Sequence, residues 1–363
     1  MTGTDLAHRP LGRTLVTGGA GFIGTAISSL LDTATQIVAF DNLHPQIHAT
    51  GERPTELDSR VELVVGDVSS AEDWDRVLSN FKPDTVIHLA AETGTGQSLS
   101  ESTRHATVNV VGTTQMLDAF RRNEAMPQRI VLTSSRAVYG EGAWADAEGA
   151  LHYPGQRSVA QLEAAQWDFE GLAPVAMDAL VVNPSPVSVY AATKLAQEHL
   201  VRTWAESFDI EAVIVRLQNV YGPGQSLINP YTGIMSLFCR MAMGGKSIPL
   251  YEDGEVRRDF ILIDDVASAV VAAASVAGVD SEPIDIGLGT MHTIGDAAQL
   301  ISAEYGAPAP HVNGAYRLGD VRHAWANISR AREVLGWEPQ VDLAQGIHRL
   351  AAWINEQPDV QPA

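Results

Sequence analysis

A short apolar run, Thr14 to Val16, is followed at once by Thr17-Gly18-Gly19-Ala20-Gly21-Phe22-Ile23-Gly24, and then by a helical pattern through Ile27, Leu30 and Leu31. Strand, glycine turn and helix in that order form the start of a βαβ unit that cradles the phosphates of a dinucleotide. Gly18 and Gly19 permit the tight turn, Gly21 lets backbone approach a pyrophosphate, and Gly24 allows helix and strand to pack closely. Phe22 and Ile23 open the helix, whose first N–H groups face the phosphates with partial positive charge.

The next apolar run, Gln36 to Phe40, reads as a second strand and ends in Asp41. That is about 20 residues beyond the glycines, the spacing at which a carboxylate accepts from the adenosine ribose hydroxyl. No Arg or Lys follows in Asn42-Leu43-His44. A 2′-phosphate would therefore meet Asp41 without a cation, which favours NAD over NADP.

The formal charge of −20 over 363 residues argues against nucleic acid or an anionic membrane as partner. Cys239 is the only cysteine, so an intrachain disulfide and a cysteine-based zinc site are both excluded, and no metal is expected. Met1 to Arg13 is polar and no run approaches about 18 apolar residues, so the reading is of a cytoplasmic protein that does not enter a membrane.

Strands and helices alternate, which predicts a Rossmann-type, doubly wound parallel sheet covered on both faces. Strands are expected at Val61–Val65, Thr85–Leu89, Arg129–Thr133 and Ala212–Leu217, with helices at Ala71–Phe81, Leu99–Arg122 and Val187–Phe208. Between about 141 and 186 the rhythm is lost: Gly, Pro and acidic residues dominate and Arg157 is the only opposing charge. This reads as an insertion with a short helix near Val159–Trp167. The division expected is a dinucleotide-binding domain over 1–217 and a smaller α/β substrate-binding lobe over 218–363, with a helix at 265–277 that could return to the large sheet.

Ser188-Val189-Tyr190-Ala191-Ala192-Thr193-Lys194 places Tyr190 and Lys194 four apart at a helix start, on one face. A tyrosine works as acid or base when its pKa falls below the ordinary value of about 10. A nearby ammonium and the cationic nicotinamide of NAD⁺ both favour the phenolate. In Thr133-Ser134-Ser135-Arg136-Ala137-Val138-Tyr139-Gly140, hydroxyls follow a strand directly, at the sheet edge where ligands of such folds lie. Ser135 is placed to hold a substrate oxygen against Tyr190.

Taken together with Gly66-Asp67, His88-Leu89-Ala90-Ala91, Asn109, Asn219-Val220-Tyr221-Gly222-Pro223, Arg258-Asp259-Phe260 and Leu335-Gly336-Trp337, these segments resemble the extended short-chain dehydrogenase/reductase family, in its nucleotide-sugar epimerase and dehydratase branch. The match is collinear over almost the whole chain. The resemblance implies Tyr190 as acid/base, with Lys194 binding the nicotinamide ribose and lowering the tyrosine pKa, and Ser135 bonding the reacting hydroxyl. It implies Asp67 at adenine, with Asn42, Val68, Leu89, Ala90 and Ala91 along the cofactor, and Asn109, counted with them, helping to order the active site. Asn219, Arg258 and Arg317 would grip the substrate diphosphate, with Ser134 and Gln225 also at the substrate, so that a few arginines in a cleft answer the acidic surface.

One departure narrows the reaction. The 4,6-dehydratases of this branch carry an acidic pair just after the active-site hydroxyl, and Arg136 and Ala137 stand there instead. An arginine cannot protonate a leaving hydroxyl, so dehydration is not expected. The loop Glu92-Thr93-Gly94-Thr95-Gly96-Gln97-Ser98 looks like that of 6-deoxyhexose 4-epimerases and 4-ketoreductases. The expectation is an NAD-dependent 4-epimerase of a nucleotide-diphosphate hexose, a dTDP-6-deoxyhexose by that resemblance. A 4-keto-6-deoxyhexose reductase using NAD(P)H is the alternative, and a non-catalytic NAD-binding regulator a remote one. The resemblance also implies a homodimer.

Overall fold

The computed structural model describes residues 6–48, 50–227 and 233–357, so Met1–Asp5 of the polar N-terminal segment lies outside it. Seven strands form one parallel sheet: β1 (Gly12–Thr17), β2 (Ala34–Asp41), β3 (Val61–Val65), β4 (Thr85–His88), β5 (Arg129–Ser135), β6 (Glu211–Leu217) and β7 (Ile284–Ile286). Their order is β7-β6-β5-β4-β1-β2-β3. Chain order reverses beside β1, between β2 and β4, and there the carboxyl ends open the crevice in which ligands of such sheets bind.

Period-2 alternation assigns the two faces. On β5, Ile130 and Leu132 pack with Trp74, Met116, Phe120 and Val201, whereas Val131 packs with Ile27, Val266 and Val270 on the opposite side. The first face carries helices α2 (Ala71–Asn80), α3 (Gly112–Arg122) and α4 (Val189–Ser207); the second carries α1 (Phe22–Ser28) and a later helix, Ile263–Ser275. Burying each such aliphatic side chain contributes roughly 1.5–3 kcal/mol, so both layers are strongly held.

Two features depart from the sequence reading, and a third concerns the helix it left open. The helix expected from Leu99 to Arg122 is divided into Gln97–Ser100, Ser102–Ala106, a π turn at Thr107–Val111, and α3. A π turn inserts one extra residue and turns a side chain off the helical register, here Asn109. Second, the sheet gains β7, a three-residue strand whose middle residue, Asp285, is buried. Third, the helix Ile263–Ser275 lies on the large sheet, so the C-terminal half returns to it twice. The remaining elements gather around Tyr221, Phe238, Ile248, Phe260, Ile301 and Leu350 in a separate apolar cluster built on α5 (Ile234–Met243) and the helices Ile294–Tyr305 and Leu343–Glu356.

The 141–186 segment is ordered by its own antiparallel sheet, in which Trp144–Ala145 pairs with Leu151–His152 and with Ala173–Pro174. The short helix Val159–Glu163 starts on a capping box between Ser158 and Gln161.

Candidate active site

The glycine turn runs from β1 into α1 with Gly18 at φ +66°. A Cβ on Gly18 would lie 2.8 Å from the Ala90 nitrogen, and one on Gly24 would lie 2.5 Å from the Gly19 carbonyl oxygen, so neither position accepts a side chain. Gly21 is the N-cap residue and no side chain caps the helix. Phe22 and Ile23 turn their side chains into the C-terminal lobe's apolar cluster, leaving backbone alone toward the turn. Asp41 ends β2 beside it, accepting from Ala20 N at 3.0 Å and Leu43 N at 2.8 Å. Asn42 Nδ2 donates to Asp67 at 3.2 Å. Burial pushes the Asp67 carboxyl up, but hydrogen bonds from Ser69 and Asn42 outweigh it and hold the group below its ordinary value. Leu89 N and Ala90 N donate to the carbonyl and hydroxyl of Thr17, which fastens the loop after β4, with Ala91 next in line, against the turn. A cradle closed to a Cβ at Gly18, Gly19 and Gly24, an uncapped helix start and a carboxylate at the end of β2 together fit a dinucleotide.

Two of the residues expected at the cofactor have buried side chains. Val68 is buried, packing beside Trp74 and against Gly112, and so belongs to the core. Asn109 is fully buried, and its amide is used by protein: Oδ1 accepts from Glu92 N at 2.8 Å, and Nδ2 donates to Glu92 O at 3.0 Å and Thr193 Oγ1 at 2.9 Å. It ties the loop after β4 to the start of α4.

Tyr190 and Lys194 rise from the first turns of α4, started by Ser188, whose hydroxyl accepts from Ala191 N. Lys194 is buried, with Nζ donating to Thr133 O at 2.8 Å and Gln197 Oε1 at 2.9 Å. Burial pushes this ammonium down to about 8, with Glu198 opposing. Tyr190 is pushed above its ordinary value by burial, while a hydrogen bond from Ser135 and the charge of Arg136 pull it back. In the protein by itself, burial works against the ionisation expected of the Tyr190 phenol. Ser135 ends β5 and its Oγ accepts from Ala137 N at 3.2 Å, opening the 3-10 turn Arg136–Tyr139.

Ser134 takes the opposite face of β5. Strand alternation turns its hydroxyl under the crevice floor, where it donates to Glu198. The substrate contact expected of it is corrected accordingly. Glu198 also receives two bonds from Arg216, at 2.9 and 2.7 Å, and Arg216 stacks on Tyr139 at 4.7 Å. Tyr139 OH in turn donates to Asp285 at 2.8 Å. On the cofactor side His88 lies between Thr17 and Thr113, at 2.6 and 3.0 Å, and burial drives it to about 3. It is a neutral support at working pH.

Beyond Tyr190 the C-terminal lobe supplies Asn219 and Arg258. Asn219 Oδ1 accepts from Arg136 Nε at 2.9 Å. Arg258 is buried, its guanidinium anchored on the carbonyls of Arg257, Val321 and Arg322. Gln225 is buried beside Ser236, 3.5 Å from its hydroxyl. Arg317 is exposed, with its guanidinium over the Tyr251 ring at 5.3 Å, so it stands outside the buried group. The sequence reading used Arg136 only as a departure and did not single out Glu141, yet both stand among these residues. Burial pushes Glu141 up to about 7, and its carboxylate accepts from Arg322 N at 3.1 Å. A charged residue directly after the strand-end hydroxyls was the available signal for Arg136.

Residues 15–152 match the family model described as GDP-mannose 4,6 dehydratase, and residues 170–287 match that of the NAD dependent epimerase/dehydratase family. The chain is 56% identical to dTDP-L-rhamnose 4-epimerase of Burkholderia thailandensis over 95% of both chains. It is 33% identical to UDP-glucose 4-epimerase of Mycolicibacterium smegmatis, over 95% of this chain and 99% of that one. Among solved structures, UDP-glucose 4-epimerase of Thermus thermophilus in complex with NAD superposes with a TM-score of 0.73 at 27% identity, covering 95% of this chain and 99% of the other. The glycine cradle, the Ser135–Tyr190–Lys194 group and likeness over nearly the full length agree: the chain belongs to the NAD-dependent epimerase/dehydratase family, the nucleotide-sugar branch of the extended short-chain dehydrogenases/reductases.

Proposed function

We propose that the protein is an NAD-dependent 4-epimerase of a nucleotide-diphosphate hexose, and that its substrate is a dTDP-6-deoxyhexose such as dTDP-L-rhamnose. The observation that carries the reading is Tyr190 at the start of α4 together with Lys194, which the same helix sets on Thr133 O at the carboxyl end of β5, two residues before Ser135. NAD⁺, when bound, supplies the nicotinamide carbon that accepts a hydride from C4 of the sugar and later returns it.

The chain's own residues manage the proton and the pose. Tyr190 as phenolate takes the proton of the 4-hydroxyl, and Ser135 holds that oxygen in line. The 4-keto sugar turns its other face, and Tyr190 gives the proton back. Lys194, held by Thr133 and Gln197, keeps a positive charge beside the cofactor ribose. Glycines 18, 21 and 24, Asp41, Asn42 and Asp67 would hold the dinucleotide, and Asn219 with Arg258 the sugar diphosphate. Dehydration lacks its acid, since Arg136 and Ala137 follow Ser135.

The reading extends to a homodimer in the cytoplasm. Among the described residues no helix is long and apolar enough to cross a membrane. Leu99 and Val111, 67% and 43% exposed on the helical run before α3, offer apolar surface to a second copy. The deciding experiment incubates the purified protein with dTDP-L-rhamnose and no added cofactor. Retained NAD and formation of the C4 epimer support the reading; a strict requirement for stoichiometric NADH or NADPH would replace it with the ketoreductase.

A further inference from the structure

Lys194 is buried, and its ammonium carries three donors. Among the described residues two of them are taken, by Thr133 O at 2.8 Å and by Gln197 Oε1 at 2.9 Å. Gln197 stands three residues further along α4, the spacing that sets two side chains on one face of a helix. It is fully buried. A buried amide is costly unless both of its ends are bonded, and the groups around Gln197 leave it one orientation.

An ammonium only donates, so the end of the amide that meets Lys194 is the oxygen. The nitrogen then donates to Thr113 Oγ1 at 2.8 Å. The Thr113 hydroxyl gives its own proton to Asn109 O at 2.6 Å, and its other lone pair faces His88 Nε2 at 3.0 Å. That nitrogen of His88 therefore carries the hydrogen. Nδ1 is left as an acceptor and receives the Thr17 hydroxyl at 2.6 Å. The approach of Gln197 Nε2 to His88 Nε2, at 3.4 Å, sets two donors side by side and is no bond. Thr17 in turn accepts from Ala90 N at 3.3 Å. From Lys194 to the end of β1 each hydrogen bond thus has a single direction, through buried side chains of α4, α3, β4 and β1.

The charged and titratable groups around Lys194 are Tyr190 and Glu198 on its own helix, His88 from β4 and Arg216 from β6; beyond Tyr190 stand Arg136 after β5 and the His105 ring. Glu198 is the carboxylate among them, and its oxygens are held by Ser134 and by two bonds from Arg216. The oxygens that touch the ammonium itself are neutral. With burial opposing the charge, each of those two acceptors weighs on how much of Lys194 stays ionised.

We propose that Gln197 is a positioning residue for Lys194: locked in one orientation by Thr113, its amide oxygen holds the ammonium charged and, together with Thr133 O, leaves one N–H for the cofactor ribose. The ribose end of this rests on the epimerase reading, whereas the hold on Lys194 does not. The same chain of bonds ends at Thr17, beside Gly18, so one network sets the ammonium against the turn that would cradle the phosphates.

Lys194 is read directly by NMR of Cε-labelled lysine in the protein as purified, without sugar. The chain has three lysines, Lys82, Lys194 and Lys246, and Lys194→Met identifies the curve in question. Gln197→Met keeps the volume and removes the oxygen. Its Lys194 midpoint falls about one pH unit below wild type, and the alkaline fall in kcat moves with it while KM for the nucleotide sugar is unchanged. Gln197→Glu keeps an oxygen on the ammonium and holds the midpoint at or above the wild-type value. Should Gln197→Met not fold, Thr113→Val takes its place, with a midpoint lowered by about half a pH unit because the amide loses what orients it. A midpoint unmoved in the variant used, or one that drops in Gln197→Glu as far as in Gln197→Met, overturns the proposal. Because the NMR titration needs no turnover, a wild-type protein that epimerises no sugar refutes the epimerase reading and leaves the role of Gln197 to these curves.

Discussion

Arg157 and Glu252 meet face to face, with two N–H···O bonds of 2.8 Å, 95 residues apart in the chain and only 2% and 3% exposed. Glu252 also accepts from Arg322 at 2.9 Å, and Arg322 reaches Asp168 and Asp253. One end of this network is the 141–186 insertion and the other is the C-terminal lobe. The insertion is therefore clasped by buried charge. Removing one partner of such a set leaves the others uncompensated, at about 3–5 kcal/mol. Glu252→Gln is expected to lower Tm by several degrees and to open the insertion to proteolysis between 145 and 175, measured by thermal melting and limited digestion.

The glycine cradle predicts a sharp contrast. Gly24→Ala would set a Cβ 2.5 Å from a backbone oxygen of the same turn, and backbone cannot rotate aside. Gly96 has open space around it. Purified Gly24→Ala should lose retained NAD at least about tenfold, while Gly96→Ala keeps it; released nucleotide is the readout.

Tyr190→Phe keeps the ring and removes the proton carrier. The expected loss in kcat is about a hundredfold to ten-thousandfold, with NAD content unchanged. Lys194, pushed down to about 8, is charged below that pH and neutral above it. The rate should therefore fall on the alkaline side of about 8. A profile flat from 7 to 10 would contradict that assignment.

Asp259 is fully buried and accepts from the backbone N–H groups of Leu288, Gly289 and Ala326 at 2.6, 3.1 and 3.2 Å. Burial pushes it up to about 6, against these bonds. A carboxyl raised on folding contributes stability that is complete below its unfolded value and lost as pH rises through the folded one. The Tm difference between wild type and Asp259→Asn should thus shrink as pH rises from about 4 to about 6, as seen by melting both proteins across that range.

What was legible in the sequence was what is local. The glycine turn, Asp41 at the end of β2, and the Tyr190–Lys194 spacing each depend on residues within one turn or one strand end. β7 was missed because Ile-Asp-Ile carries a buried carboxylate where an apolar residue is the usual sign of a central strand, and Asp285 is there for Tyr139, 146 residues away. The π turn at Asn109 leaves no mark on helical periodicity. Arg157 read as a lone cation in an acidic stretch, since nothing near it in the chain reveals Glu252. Arg317 sits in a polar segment whose pattern cannot say which arginines are drawn inward.

The late arrival of β7 sets a condition on synthesis. A nascent chain that has reached Leu217 carries six of the seven sheet strands, yet β6 still shows a bare hydrogen-bonding edge, and the helix Ile263–Ser275, which joins α1 on the second face, has not yet been made. Such an edge is a template for other chains. Truncation anywhere before residue 284 should yield aggregate, which makes the amino-terminal half an unsuitable unit for transplanting cofactor binding into another protein.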